Sequence, residues 1–260
     1  MHNTGRAAMG LDPAAHTLIR QLALNGIELE TRYEVTARNR RGRVLWVAQA
    51  KNRVVTAGLN KVLDAAFKTG LASPAWYVGL CGASITDGAI SSGTASLASA
   101  SNPFVAADAT RNVIVRGAGA SGADLLTTIA TYVSAGNVTL GVNAGTTVSN
   151  APVIWEARAA DTLAAHAPWA ENSNYTNATR PAWTPGTIAA GSVDNSASQA
   201  TFSINTNNTL IGGLFLADNN AVNGTTGTLY GMAPFTSVGF RQLNNGDTLS
   251  VTATLTAAST

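Results

Sequence analysis

The stretch Lys51–Leu80 constrains the fold most, because it sets one amphipathic helix inside a chain that is otherwise patterned for strands. Leu59, Val62, Leu63, Ala66 and Phe67 recur at three- and four-residue steps, which places them on one face of a helix. Lys61, Asp64 and Lys68 fall on the other face. Thr56 is the expected N-cap, since its hydroxyl can accept from the free N–H groups of the first turn. Gly70 is the expected left-handed residue after the helix. Trp76-Tyr77-Val78-Gly79-Leu80 then reads as a buried strand. The expectation is a helix whose apolar face packs against one end or face of a β-sandwich.

The segments on either side support a β class. Ile27, Leu29, Tyr33, Val35 and Ala37 alternate with Glu28, Glu30, Arg32, Glu34 and Thr36, the period of a half-buried strand. Arg38-Asn39-Arg40-Arg41-Gly42 is a turn, and Val44–Ala48 returns, so a hairpin with a basic tip is expected. Residues 1–26 read as an arm with a short helix capped by Asp12, started by Pro13 and striped by Leu18, Ile19, Leu22 and Leu24. Residues 83–155 are nearly free of charge and carry short β-patterned runs at Thr94–Leu97, Asn112–Arg116, Leu125–Tyr132, Val138–Leu140 and Val153–Trp155. They read as a small all-β module inserted into a larger domain. After a turn or short helix at Asp161–His166, further strands are expected around Ala200–Ile204, Ile211–Ala217, Thr228–Gly231, Val238–Arg241 and Thr248–Leu255, punctuated by Asn-rich turns. The expected class is therefore mainly β: an antiparallel, jelly-roll-like β-sandwich with one packed helix, an inserted β-module and an N-terminal helical arm. The expected units are 1–26 (arm), 27–82 (first part of the sandwich), 83–155 (insert) and 156–260 (second part).

Charge adds a polarity to this layout. Residues 1–70 carry eleven Lys and Arg against five acids, and the remainder five against nine. Charged residues are only 12% of the chain, about half the usual share. The basic end suits an acidic protein surface or nucleic acid, though a solvated hairpin tip accounts for it without any partner. A single cysteine, Cys81, rules out an intrachain disulfide framework and reads as a small core residue. Met1–Arg6 has no apolar signal core, and no apolar run approaches membrane-spanning length. Synthesis in a cytosol without membrane insertion is the expectation.

No motif selects an enzyme. Gly117-Ala118-Gly119-Ala120-Ser121-Gly122 matches a dinucleotide fingerprint letter by letter. The β-branched run that follows is strand-like rather than helical, and no acid stands near the ribose position. A turn is the better reading, and no cofactor is expected. His2, His16 and His166 are the only histidines, and nothing aligns one with a nucleophile. Metal-ligand spacing is lacking. Glu156, Asp161 and Glu171 would be the carboxylates of a glycan hydrolase, against a stronger reading as loop residues. Trp169, Tyr175 and Trp183, beside Asn172, Asn174 and Asn177, are candidates for partner or glycan contact; alternatively, the two Trp cover the sandwich edge.

Six segments carry a family resemblance: Val55–Asp64, Ala75–Leu80, Asn177–Trp183, Gly191–Ser198, Gly224–Gly231 and Asn245–Leu249. They resemble a family of tailed-bacteriophage virion proteins described as tail-fibre or head-decoration proteins. The likeness covers roughly residues 43–81 and 156–256. The insert departs from that pattern, since family members run directly from the Trp-Tyr-Val-Gly-Leu strand to the Asp-Thr-Leu segment. It is itself similar to small β-modules of phage tail fibres and tailspikes, through Phe104–Asp108, Gly117–Leu126 and Thr139–Thr147. The resemblance implies a non-enzymatic virion structural protein, and the insert favours a tail component that attaches or forms the base of a fibre. The arm and the hairpin arginines Arg38, Arg40, Arg41 and Arg43 would dock on the virion. Partners would be other virion proteins and further copies of the chain, with a host surface glycan as an added possibility; nucleic acid and membrane insertion are not expected. The rival readings are a capsid decoration protein and a glycan-binding receptor module.

Overall fold

The computed structural model describes residues 27–68 and 75–259. The expected arm helix, with His2 and His16, lies outside the described residues, as does Gly70. Strands β1 (Ile27–Arg38), β2 (Val44–Lys51) and β3 (Arg53–Val54) lead into helix α1 (Thr56–Phe67), and β4 (Trp76–Gly82) follows. The middle of the chain forms β5 (Ile85–Ile90), β6 (Ser96–Ala98), β7 (Asn112–Val115), β8 (Leu125–Ser134), β9 (Asn137–Leu140) and β10 (Val148–Trp155). The remainder supplies β11 (Ala170–Asn172), β12 (Ala182–Trp183), β13 (Ser192–Asp194), β14 (Ala200–Ser203) and β15 (Thr209–Ile211), then β16 (Gly213–Ala217), β17 (Leu229–Pro234), β18 (Arg241–Leu243) and β19 (Thr248–Ser259).

Two antiparallel sheets face each other. One runs β13-β19-β1-β2, with β14 also on β19; the other runs β11-β4-β16-β17-β3, with β12 also on β4. Period-two alternation turns Tyr33, Val35 and Ala37 inward from β1, and Leu249, Val251 and Ala253 inward from β19. They meet Val78, Leu80, Leu214, Leu216 and Met232 from the second sheet in one core. Residues before and after the insert thus share a core, and β16 returns to pair with β4 (Leu216 opposite Val78, Leu214 opposite Leu80).

Between these halves, β10-β5-β6-β9-β8-β7 close into a barrel. Its interior holds Leu97, Phe104, Val113, Val115, Ile129, Val138, Val153 and Trp155. Two barrel strands work for both cores. Ile114 and Ile154 are register partners and belong to the sandwich core, whereas their neighbours Val113, Val115, Val153 and Trp155 fill the barrel. The unbroken apolar runs at Val113–Val115 and Val153–Trp155 are what burial on both faces requires. The glycine-rich fingerprint becomes a tight turn between β7 and β8, with a single 3-10 turn at Ala120–Gly122, Ser121 at φ +55° and no α-helix to receive a phosphate.

The helix departs from expectation. Thr56 is its first residue rather than its cap; Val55 occupies the cap position and supplies no side-chain bond. The Thr56 N–H donates to the Ala159 carbonyl at 2.9 Å, so a tertiary contact satisfies one of the free N–H groups of the first turn. Of the expected packed face, only Val62 rests against the core, half-buried. Only Gly58 is buried, seated against the Tyr230 backbone, while Leu59, Leu63 and Phe67 are exposed, Phe67 by 77%. The close Gly58 approach turns the helix so that its contact line runs along Gly58, not along its leucines.

Candidate docking interface

The β1–β2 hairpin ends in a turn built by Asn39. Its Oδ1 accepts from the backbone N–H groups of Arg41 and Arg43, both at 3.0 Å. The Asn39 N–H donates to the Arg43 carbonyl at 2.9 Å, and Gly42 takes φ +78° to complete the turn. Arg38 Nη1 donates to the Gly42 carbonyl at 3.1 Å. Arg38, Arg40, Arg41 and Arg43 are all exposed, and none pairs with an acid among the described residues. Further down the same hairpin the charges are neutralised: Lys51, then Arg32, bind Glu30 and hold its carboxyl below the usual range. Beside the tip, Asn39, Arg40, Arg41 and Leu45 face Asn244, Asn245 and Asp247 across a cavity of about 340 Å3. Asp247 accepts the Asn244 N–H at 2.8 Å and forms no ion pair with these arginines. Val44, Leu45 and Val47 are exposed along β2, so the tip offers apolar surface next to fixed positive charge.

The aromatic candidates are placed elsewhere. Trp169, Tyr175 and Trp183 are buried, at 3%, 4% and 7% exposure, and belong to the sandwich core. The expectation of a glycan or partner surface there is corrected; the reading in which the tryptophans close the sandwich is the one the fold adopts. Trp183 Nε1 donates to the Ala253 carbonyl at 3.0 Å, linking the two sheets. Burial pushes the Tyr175 phenol up, because its hydroxyl has left water. The neighbouring amides tie this region to strands β15 and β14: Asn172 Nδ2 donates to the Leu210 carbonyl and Asn177 Nδ2 to the Thr201 carbonyl, each at 3.1 Å.

The carboxylates weighed for hydrolysis are also structural, and not in solvated loops. Arg180, 1% exposed, donates from Nε (2.8 Å) and Nη2 (2.6 Å) to the two oxygens of Glu171. Its remaining donors reach the Asn219 and Gly224 carbonyls, and its guanidinium lies 5.0 Å from the Phe215 ring centre. Glu156 accepts from Asn112, and buried Asp161 accepts the Arg158 N–H at 2.8 Å. His166 stacks on Trp169, with ring centres 4.3 Å apart. Cys81 is fully buried and burial pushes its thiol well up, which suits a core residue rather than a nucleophile. Among the described residues no cluster of three metal-ligating side chains occurs, and no helix is long and apolar enough to cross a membrane.

Sequence reasoning missed the anchoring arginines, Arg158 and Arg180. The one available signal was their rarity: in a chain this poor in charge, an Arg set among apolar and small residues more readily finds a single fixed partner. No family model, curated protein or solved structure matches the chain.

Proposed function

We propose that the chain is a non-enzymatic bacteriophage virion structural protein, a tail component that attaches a fibre or forms its base. The observation that carries this reading is the hairpin tip. Four arginines are held on a turn stiffened by Asn39, beside exposed Val44, Leu45 and Val47, with no acidic partner among the described residues. Fixed positive charge next to apolar side chains is what a protein surface bearing carboxylates and an apolar patch can match. The six segments that resemble phage virion proteins supply the biological setting. The use of Glu171, Asp161 and Glu156 in internal contacts supports a scaffold role over hydrolysis.

The test is incorporation into particles. Arg40→Glu, Arg41→Glu and Arg43→Glu together are expected to leave the fold intact and abolish incorporation. Full incorporation of that variant would sink the docking role. Copy number separates the two virion readings. A small multiple of about three or six copies per particle fits a tail ring, and copies on the order of hundreds fit capsid decoration.

A further inference from the structure

A groove of about 660 Å3 opens at the end of the sandwich where β1 begins. Val62 and Ala66 of α1 form one wall, Val193 and Leu255 of the first sheet the other, with Trp76 between them and exposed Ile188 at the rim. On the helical wheel Val62 and Ala66 lie next to Leu59 and Leu63, so the apolar wall continues onto the exposed stripe of α1. This is a large apolar surface for a chain whose remaining large apolar side chains mostly lie in its two cores.

The position of the groove points to its occupant. Leu255 stands opposite Thr31 in the β1–β19 ladder, so both share the inner face of the sheet, and by alternation Leu29 shares it too. β1 starts at Ile27, four residues before Thr31, or about 13 Å along the strand. Ile27, to which the preceding segment is tethered, therefore lies beside the groove. The sequence there carries Leu18, Ile19 and Leu22 at helical spacing, followed by Leu24. Leu22 is five positions from Ile27, a reach of at most about 17 Å, which exceeds the length of strand back to the level of Thr31 and Leu255. A tether this short raises the local concentration of the segment to the millimolar range, so a weak apolar contact suffices.

We propose that this groove seats the segment 13–24 of the same chain, through Leu18, Ile19 and Leu22. The proposal is independent of what the hairpin tip docks to. It makes the apolar side of α1 an internal surface and accounts for a helix that leaves its leucines off the sandwich.

Two measurements on the full chain test it. In Leu22→Cys/Ala66→Cys, oxidation should give a disulfide within one chain, seen as a mobility shift of the monomer on a non-reducing denaturing gel; buried Cys81 does not compete. Disulfide-linked dimers would show that the groove takes a second copy's segment, and no disulfide would show that it takes neither; either result overturns the proposal. In the second measurement, trypsin cleavage after Arg20 should be slow in the unaltered chain. Ala66→Asp, at an exposed groove residue, should speed it about tenfold by opening the seat. Val142→Asp, on the exposed surface of the barrel, should leave the rate unchanged. An equal rate in the unaltered and Ala66→Asp chains would overturn the proposal.

Discussion

Arg158 closes a two-point ion pair on Asp108, donating from Nε at 2.6 Å and from Nη2 at 2.8 Å. Asp108 belongs to the barrel and is fully buried; Arg158 follows the last barrel strand as the chain re-enters the sandwich. The carboxylate also accepts from Trp155 Nε1 at 3.0 Å and the Val105 N–H at 2.8 Å, so both oxygens carry two donors. The pair thus ties the insert to its parent at the point where the chain crosses between them.

Removing the cation strands a buried carboxylate. Arg158→Leu is expected to cost about 3–5 kcal/mol, read as a lowered urea midpoint. Replacing both partners, Arg158→Leu with Asp108→Leu, should cost less than the single change, because no unpaired charge is left behind. A single variant within about 1 kcal/mol of the parent would refute the buried-pair account.

Gly58→Ala sets propensity against packing. Alanine favours an exposed helix interior by about 1 kcal/mol over glycine. At this position the added Cβ would collide with the Tyr230 carbonyl, which is backbone and cannot swing away. A net loss of about 1–3 kcal/mol is expected from thermal unfolding. A stabilised variant would mean that α1 does not rest on β17.

Trp183 acts in the core. Trp183→Ala should cost about 3–5 kcal/mol, through lost burial and an Ala253 carbonyl left without its donor. Trp183→Phe keeps a ring and loses the bond, so a smaller loss of about 1 kcal/mol is expected. Chemical denaturation of the two variants side by side measures the difference.

Asp161 makes stability fall as pH rises. Burial raises its carboxyl above the ordinary value of about 3.9, so the folded chain holds the proton where the unfolded chain has released it. Its contribution is full below the unfolded value and is lost as pH rises through the folded one. Asp161→Asn removes that loss. Urea melts at about pH 4 and about pH 7 should show the variant gaining on the parent at the higher pH. An unchanged difference between the two pH values would count against a raised carboxyl.

The elements most legible in the sequence were those whose pattern needs no neighbour. The alternation through Ile27–Ala37 and the turn at Asn39–Gly42 specify the β1–β2 hairpin by themselves. The barrel strand β5 escaped notice, because Asp87 and Gly88 interrupt its apolar pattern. The structure uses both: Asp87 accepts from Ser99 and Ser101, and Gly88 leaves room for Val153. The strand expected at Val238–Arg241 begins only at Arg241, since Gly239 turns at φ +73° and the Phe240 N–H is held by Asp124 of the barrel.

The sequence alone determined the β class, the hairpin and most strand positions, because a period of two and turn residues with positive φ are local properties. Tertiary structure decided which apolar groups are covered. The leucines of α1 have a helical period identical to that of a buried face. Yet one close contact, Gly58 on Tyr230, rotated them outward, while Trp169, Tyr175 and Trp183 in a polar loop were drawn into the core. Burial is a relation between segments distant in the chain. A residue's own pattern states what it can bury, and only its partners settle whether it does.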